Sequence, residues 1–132
     1  MHVFLTDIDK VALERLEASV ELNELEGKCT VENFHLGKMF HGDVDWIIAS
    51  DVIYSRDLCS KLINTVVTTL QECGSRLLLG FESAVAEPTF VSDIDFVNFR
   101  DHLVKKGFTV KMVAKEHRIS VWLFEKESEH EL

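Results

Sequence analysis

Four places in the chain put reactive side chains where an open α/β sheet would present them. They are Asp7 closing VFLTD, the stretch Phe34 to Gly37, Ser50 to Tyr54 in ASDVIY, and Phe81–Glu82 closing LLLGFE. Each follows an apolar run read as a strand, and such sheets bind ligands beyond the carboxyl ends of their strands. A carboxylate at Asp7 can accept both hydroxyl protons of a ribose, because it offers two acceptor oxygens in one plane. It can equally cap the helix that follows. Asp51 and Tyr54 stand three apart, just past a buried strand. They can serve a site, or the acid can cap the next helix while the ring packs on the sheet edge. Phe81–Glu82 can border a channel or be an ordinary strand end. His35 and His41 lack a third ligand in register, so no metal site is expected. Cys29, Cys59 and Cys73 are odd in number and lack CxxC spacing, which argues against a disulfide framework and a zinc cage and favours reduced, buried small hydrophobes over a redox role.

The elements that position these residues follow from apolar spacing. Val3 to Leu5 form a strand, and Leu13, Leu16 and Val20 mark one face of a helix with Asp9 as N-cap and Gly27 as stop. Cys29 to Phe34 alternate as a short strand. Val44 to Ser50 is nearly all apolar, as expected for a parallel strand covered on both faces. A second helix runs from Asp57 to Cys73, with Leu58, Leu62, Val66 and Leu70 on one stripe and Gly74 closing it. Leu77 to Leu79 form another buried strand. Beyond a loop containing Pro88, Ser92 and Asp95 form a capping box for a helix that turns Phe96, Phe99 and Leu103 inward and ends at Gly107. Phe108 to Ala114 and Ile119 to Phe124 are joined too closely for a helical crossover, so they pair as an antiparallel hairpin. Trp46 and Trp122 fall within strands and are expected in the core; His102 and His117 are expected on the surface. The order of elements is that of an open α/β sheet.

With that order in hand, DWIIASDVIY resembles the end of the fourth strand in the eukaryotic seven-β-strand methyltransferases of the family-16 type, whose hallmark is Asp-x-x-Tyr. VFLTDIDKVALERLEASVELNEL is similar to their second strand and following helix. The later segments keep the family's order, and the likeness spans about residues 3 to 124. It implies a Rossmann-like class I methyltransferase sheet with a C-terminal antiparallel hairpin, and S-adenosylmethionine as methyl donor, with lysine in a protein as the usual acceptor. By position, the resemblance gives Asp7 the ribose and packs Ile8 at the nucleoside. Leu36 lies near adenine, where the family commonly has Trp before the loop glycine. Ala49 and Ser50 flank the methionine end, and Asp51 and Tyr54 shape the channel for the incoming amine. LTDID also resembles the acidic pocket of a signalling receiver domain, but no phosphoacceptor-Met-Pro pattern follows and the Leu-rich strand has no lysine at its end.

The family's glycine-rich turn, with its first strand and helix, has no counterpart in the sequence. The expectation is therefore a partial methyltransferase domain over residues 1–125, first strand–helix unit missing, with an acidic tail at 126–132. In the family that strand lies between the second and the fourth, and each backbone group left buried and unpaired there would cost about 1 to 3 kcal/mol. Weak binding of S-adenosylmethionine by this chain is the corresponding expectation. A net charge of -9, from 14 Lys and Arg against 23 Asp and Glu, argues against nucleic acid and suits a protein substrate with a basic segment. No run is long and apolar enough to span a membrane, and the N-terminus has no secretory pattern, so the cytosol or nucleus is the expected location. Two other readings compete: a non-catalytic fragment or binding module acting through an exposed sheet edge, and a small-molecule methyltransferase.

Overall fold

The computed structural model describes residues 1–38, 40, 42–50, 52–53, 55–83 and 94–127. The chain divides into two units, Met1–His35 and Leu36–Leu132.

The first unit is a strand–helix–strand element. β1 (Val3–Asp7) pairs in parallel with β2 (Cys29–Asn33), from Val3 opposite Cys29 to Asp7 opposite Asn33. Between them runs α1 (Lys10–Leu22), capped as expected by the Asp9 side chain, which accepts from the Val11 amide. The helix stops well before Gly27. Asn23 donates its side-chain amide to the Ser19 carbonyl at 2.7 Å, and Glu24 adopts a left-handed φ of 55°, so a local side-chain cap ends the helix before a glycine is needed. Val20 is buried, whereas Leu13 and Leu16 are half-buried.

The second unit holds β3 (Trp46–Ser50), α2 (Arg56–Cys73), β4 (Arg76–Glu82), α3 (Ile94–Lys105), β5 (Phe108–Glu116) and β6 (Ile119–Lys126). Its sheet has the order β3-β4-β6-β5; β3 and β4 are parallel, and β6 is antiparallel to both neighbours. Ser55 caps α2 by accepting from the Leu58 amide, and Gly74 ends it at a left-handed φ of 65°. The expected hairpin closes at His117, whose φ of 53° supplies the turn, and a bulge between Met112 and Ala114 absorbs one residue of β5. Pro88 and the expected cap Ser92 lie outside the described residues.

Leu62, Val66 and Leu70 of α2 and Phe96, Phe99 and Leu103 of α3 pack on Leu77, Leu79 and Phe124 of the sheet. Phe99 meets Phe124 edge to face at 5.4 Å, and Trp122 packs against this cluster as expected. The opposite side of β3 behaves differently. Ile47 and Ala49 join the core, but Ile48 is 77% exposed and Trp46 46% exposed. The expectation of a strand covered on both faces therefore fails, and with it the core position of Trp46. The physical reason is that both helices of this unit pack on the Ile47–Ala49 face. Trp46 keeps a partner in Arg76, whose guanidinium lies 5.4 Å above its ring. Of the cysteines, all free, Cys59 is buried while Cys29 and Cys73 are half-buried. Burial, and then the neighbouring Asp95 carboxylate, push the Cys59 thiol up from its ordinary pKa.

Candidate functional site

In the first unit the residues expected at the site from the sequence are Asp7 and Ile8. Leu5 and Thr6 carry the chain out along β1, and the backbone is fixed at the strand end by the Phe34 amide donating to the Asp7 carbonyl at 3.0 Å. The Asp7 side chain turns back on its own chain. Its Oδ1 accepts from the amides of Ile8 at 2.7 Å and Asp9 at 2.9 Å, an Asx turn that leads into the N-cap of α1. The helix cap considered for Asp7 thus falls to Asp9, while Asp7 Oδ1 shapes the turn and, among the described residues, Oδ2 accepts nothing. Oδ2 retains two lone pairs for an incoming hydroxyl. Ile8 is 60% exposed, an apolar surface directly beside that carboxylate. Asp7 also lines, with Asp9, Arg15 and Leu16, an open recess of about 310 Å3. That volume is at the low end for a small-molecule site, so it offers a wall rather than an enclosure.

In the second unit Leu36, Ala49 and Ser50 are described. Leu36 and Ala49 are half-buried against the core, and Ser50, at the carboxyl end of β3, is exposed. Ser50 sits opposite Gly80 of β4, where an added Cβ would come within 3.1 Å of the Ser50 Cβ. Glycine at that position lets the two strand ends approach. Asp51 and Tyr54 lie outside the described residues, as does His41. The neighbours Val52 and Ile53 are half-buried and buried, and Ile53 joins the core.

Phe81 and Glu82 each have a partner within the second unit. The Phe81 ring stacks on Phe96 at 4.4 Å, and the Glu82 carboxylate pairs with Arg118 at 3.4 Å. The segment after Leu36 is held by groups that a search for reactive side chains passes over. The Gly37 amide donates to Thr65 Oγ1 at 2.7 Å, and the Phe40 amide to Thr69 Oγ1 at 3.4 Å. The signal in the sequence is a pair of threonines four apart within an apolar helix stripe, where hydroxyls must find partners.

At the carboxyl ends of two parallel strands, β1 thus presents an acid with an open oxygen beside an exposed isoleucine, and β3 presents an exposed serine. The family described as lysine methyltransferase matches residues 1–96. The chain belongs to that family. No curated protein matches the sequence. Among solved structures, the fold is similar to a protein from Clostridium thermocellum described provisionally as an rRNA methylase (TM-score 0.70, 14% identity, covering 97% of this chain and 74% of that one). It is similar to magnesium protoporphyrin IX methyltransferase from Synechocystis PCC 6803 with bound S-adenosylmethionine (TM-score 0.63, 17% identity, 96% and 60%). It also resembles an O-methyltransferase from neocarzinostatin biosynthesis in complex with S-adenosyl-L-homocysteine (TM-score 0.68, 11% identity, 96% and 42%). The chain therefore spans from under half to about three quarters of these proteins. The lysine methyltransferase family uses S-adenosylmethionine, and the α/β architecture of this member is that of Rossmann-like class I methyltransferases.

Proposed function

We propose that this protein takes part in S-adenosylmethionine-dependent methyl transfer to a lysine of a protein substrate, in the cytosol or nucleus. The observation that carries this reading is the lysine methyltransferase match over residues 1–96, which contains all seven candidate residues. Asp7 Oδ2 accepts ribose hydroxyls while Oδ1 keeps the turn closed, so the acid is held rigidly for the purpose. Ile8 and Leu36 give apolar surface to the nucleoside, and Ala49 and Ser50 flank the methionine end. S-adenosylmethionine, when bound, supplies an electrophilic sulfonium methyl. Asp51 orients the incoming ammonium by charge, and once one proton has passed to solvent the Tyr54 phenol oxygen accepts from an amine N–H, which leaves the nitrogen lone pair free to form the new N–C bond. Positioning supplies much of the lowering of the barrier, since an amine aligned with a methyl group needs no metal or covalent nucleophile. The net charge of -9 draws a basic substrate segment.

The test is to incubate the protein with radiolabelled S-adenosylmethionine and cell extract. Label is expected in protein lysine, and Asp51→Ala is expected to lower incorporation by about 100-fold or more with the fold intact. Label confined to RNA or small metabolites would refute the lysine assignment, and full turnover by Asp51→Ala would remove that residue from the mechanism. A binding module is favoured by one observation, the exposed Ile48 on β3, a strand that pairs only with β4 among the described residues. A folded protein that labels nothing would support that second reading.

A further inference from the structure

On α2, Lys61, Thr65, Thr69 and Cys73 recur every fourth residue and so form one ridge of the helix. The described residues of the segment from Gly37 to Val44 follow it. The Gly37 amide donates to Thr65 Oγ1 at 2.7 Å, the Phe40 amide to Thr69 Oγ1 at 3.4 Å, and Cys73 Sγ to the Gly42 carbonyl at 3.4 Å. Just past the helix, Ser75 Oγ donates to the Val44 carbonyl. Every one of these bonds runs from a side chain of the helix side to loop backbone, so the path is fixed whatever side chains the loop carries. Thr65 and Thr69 are 6% and 0% exposed, so neither hydroxyl can exchange its loop partner for water. Gly37 completes the fit: its φ of +105° favours glycine, and a Cβ there would lie 3.6 Å from Lys61 Cγ. By contrast Thr68, on the exposed side of the same helix, donates its hydroxyl to the Asn64 carbonyl and touches no loop.

We infer that Thr65 and Thr69 are positioning residues for S-adenosylmethionine: they pin the backbone that follows Leu36 and so fix the nucleoside-side wall without touching the cofactor. The inference rests on the proposed function for the placement of Leu36 at the nucleoside, whereas the pinning itself rests on hydrogen bonds within one unit.

The experiment compares Thr65→Val, Thr69→Val and the double variant with Thr65→Ser, Thr69→Ser and the control Thr68→Val. Amide hydrogen exchange is read at Gly37 and Phe40, and S-adenosylmethionine affinity by NMR titration. Loss of one buried acceptor is expected to speed exchange at Gly37 by about tenfold and to weaken S-adenosylmethionine binding about 5- to 30-fold. In turnover the KM for S-adenosylmethionine rises while kcat stays within about twofold, as for lost uniform binding. The serine variants restore both readouts, and Thr68→Val leaves them unchanged. Unaltered protection at Gly37 in Thr65→Val overturns the pinning. Lost protection with unaltered affinity, or serine variants no better than valine, overturns the positioning role. A wild-type protein that does not respond to millimolar S-adenosylmethionine overturns the proposed function instead, and the exchange data then still decide whether the threonines hold the loop.

Discussion

The two units of the chain are built to very different depths of packing. In Leu36–Leu132, Leu70, Leu77, Leu79, Phe99, Leu103 and Phe124 are all fully sealed from solvent, drawn from two helices and two strands. In Met1–His35 the buried hydrophobic residue among the described residues is Val20, at 8%, while Val11 and Leu22 of the same helix are 52% and 84% exposed. A two-stranded sheet with one helix is marginal by itself, because so short a segment buries too little apolar surface to offset its ordering entropy. Asp7 and Ile8 belong to the weakly packed unit, whereas Leu36, Ala49 and Ser50 belong to the well-packed one. A ligand that engages Asp7 is therefore expected to stabilise the first unit by mass action as well as to occupy it.

Core truncation should give the largest contrast. Phe124→Ala is expected to cost about 3 to 5 kcal/mol and to unfold the second unit, because Phe124 is fully enclosed and meets Phe99. Val20→Ala removes two carbons of a buried side chain and should cost about 1 to 2 kcal/mol. Chemical denaturation of both variants measures the difference; equal losses would mean that the first unit is as firmly held as the second.

A finer probe uses the same chemical change in each unit. Asp9→Ala and Ser55→Ala each remove a side-chain N-cap, at a typical cost of about 1 kcal/mol. Ser55→Ala should shift the global denaturation midpoint. Asp9→Ala should instead show chiefly as faster amide exchange across α1, since a unit of low local stability opens on its own. A shift of the global midpoint by both variants alike, with no excess exchange in α1, would show one cooperative structure.

Much of this architecture is legible in the residues, for reasons that differ by element. The ends of α2 can be read because capping is local: Gly74 takes the left-handed turn as its type suggests, although Ser55 rather than Asp57 opens the helix. The terminal hairpin can be read because a short connection leaves only one pairing. Gly27 misleads because Asn23 and Glu24 solve the same local problem first. Trp46 and Ile48 mislead because an apolar run reports what a strand could bury, not how many faces are covered. Asp7 was legible as a strand-end acid; that its Oδ1 closes a turn while Asp9 caps the helix shows only in coordinates. Thr65 and Thr69 are hidden within a stripe of Leu and Val because their partners are backbone amides distant in sequence.

The central claim of the proposed function is that this chain binds S-adenosylmethionine, with Asp7 as the ribose acceptor. Titrating isotopically labelled protein with that compound and following backbone amide resonances tests it most directly. The account predicts that the Ile8 and Asp9 amides move along a single saturable binding curve, and that Asp7→Ala removes that response. Shifts confined to the β5–β6 hairpin, or no response at millimolar concentration, would contradict it.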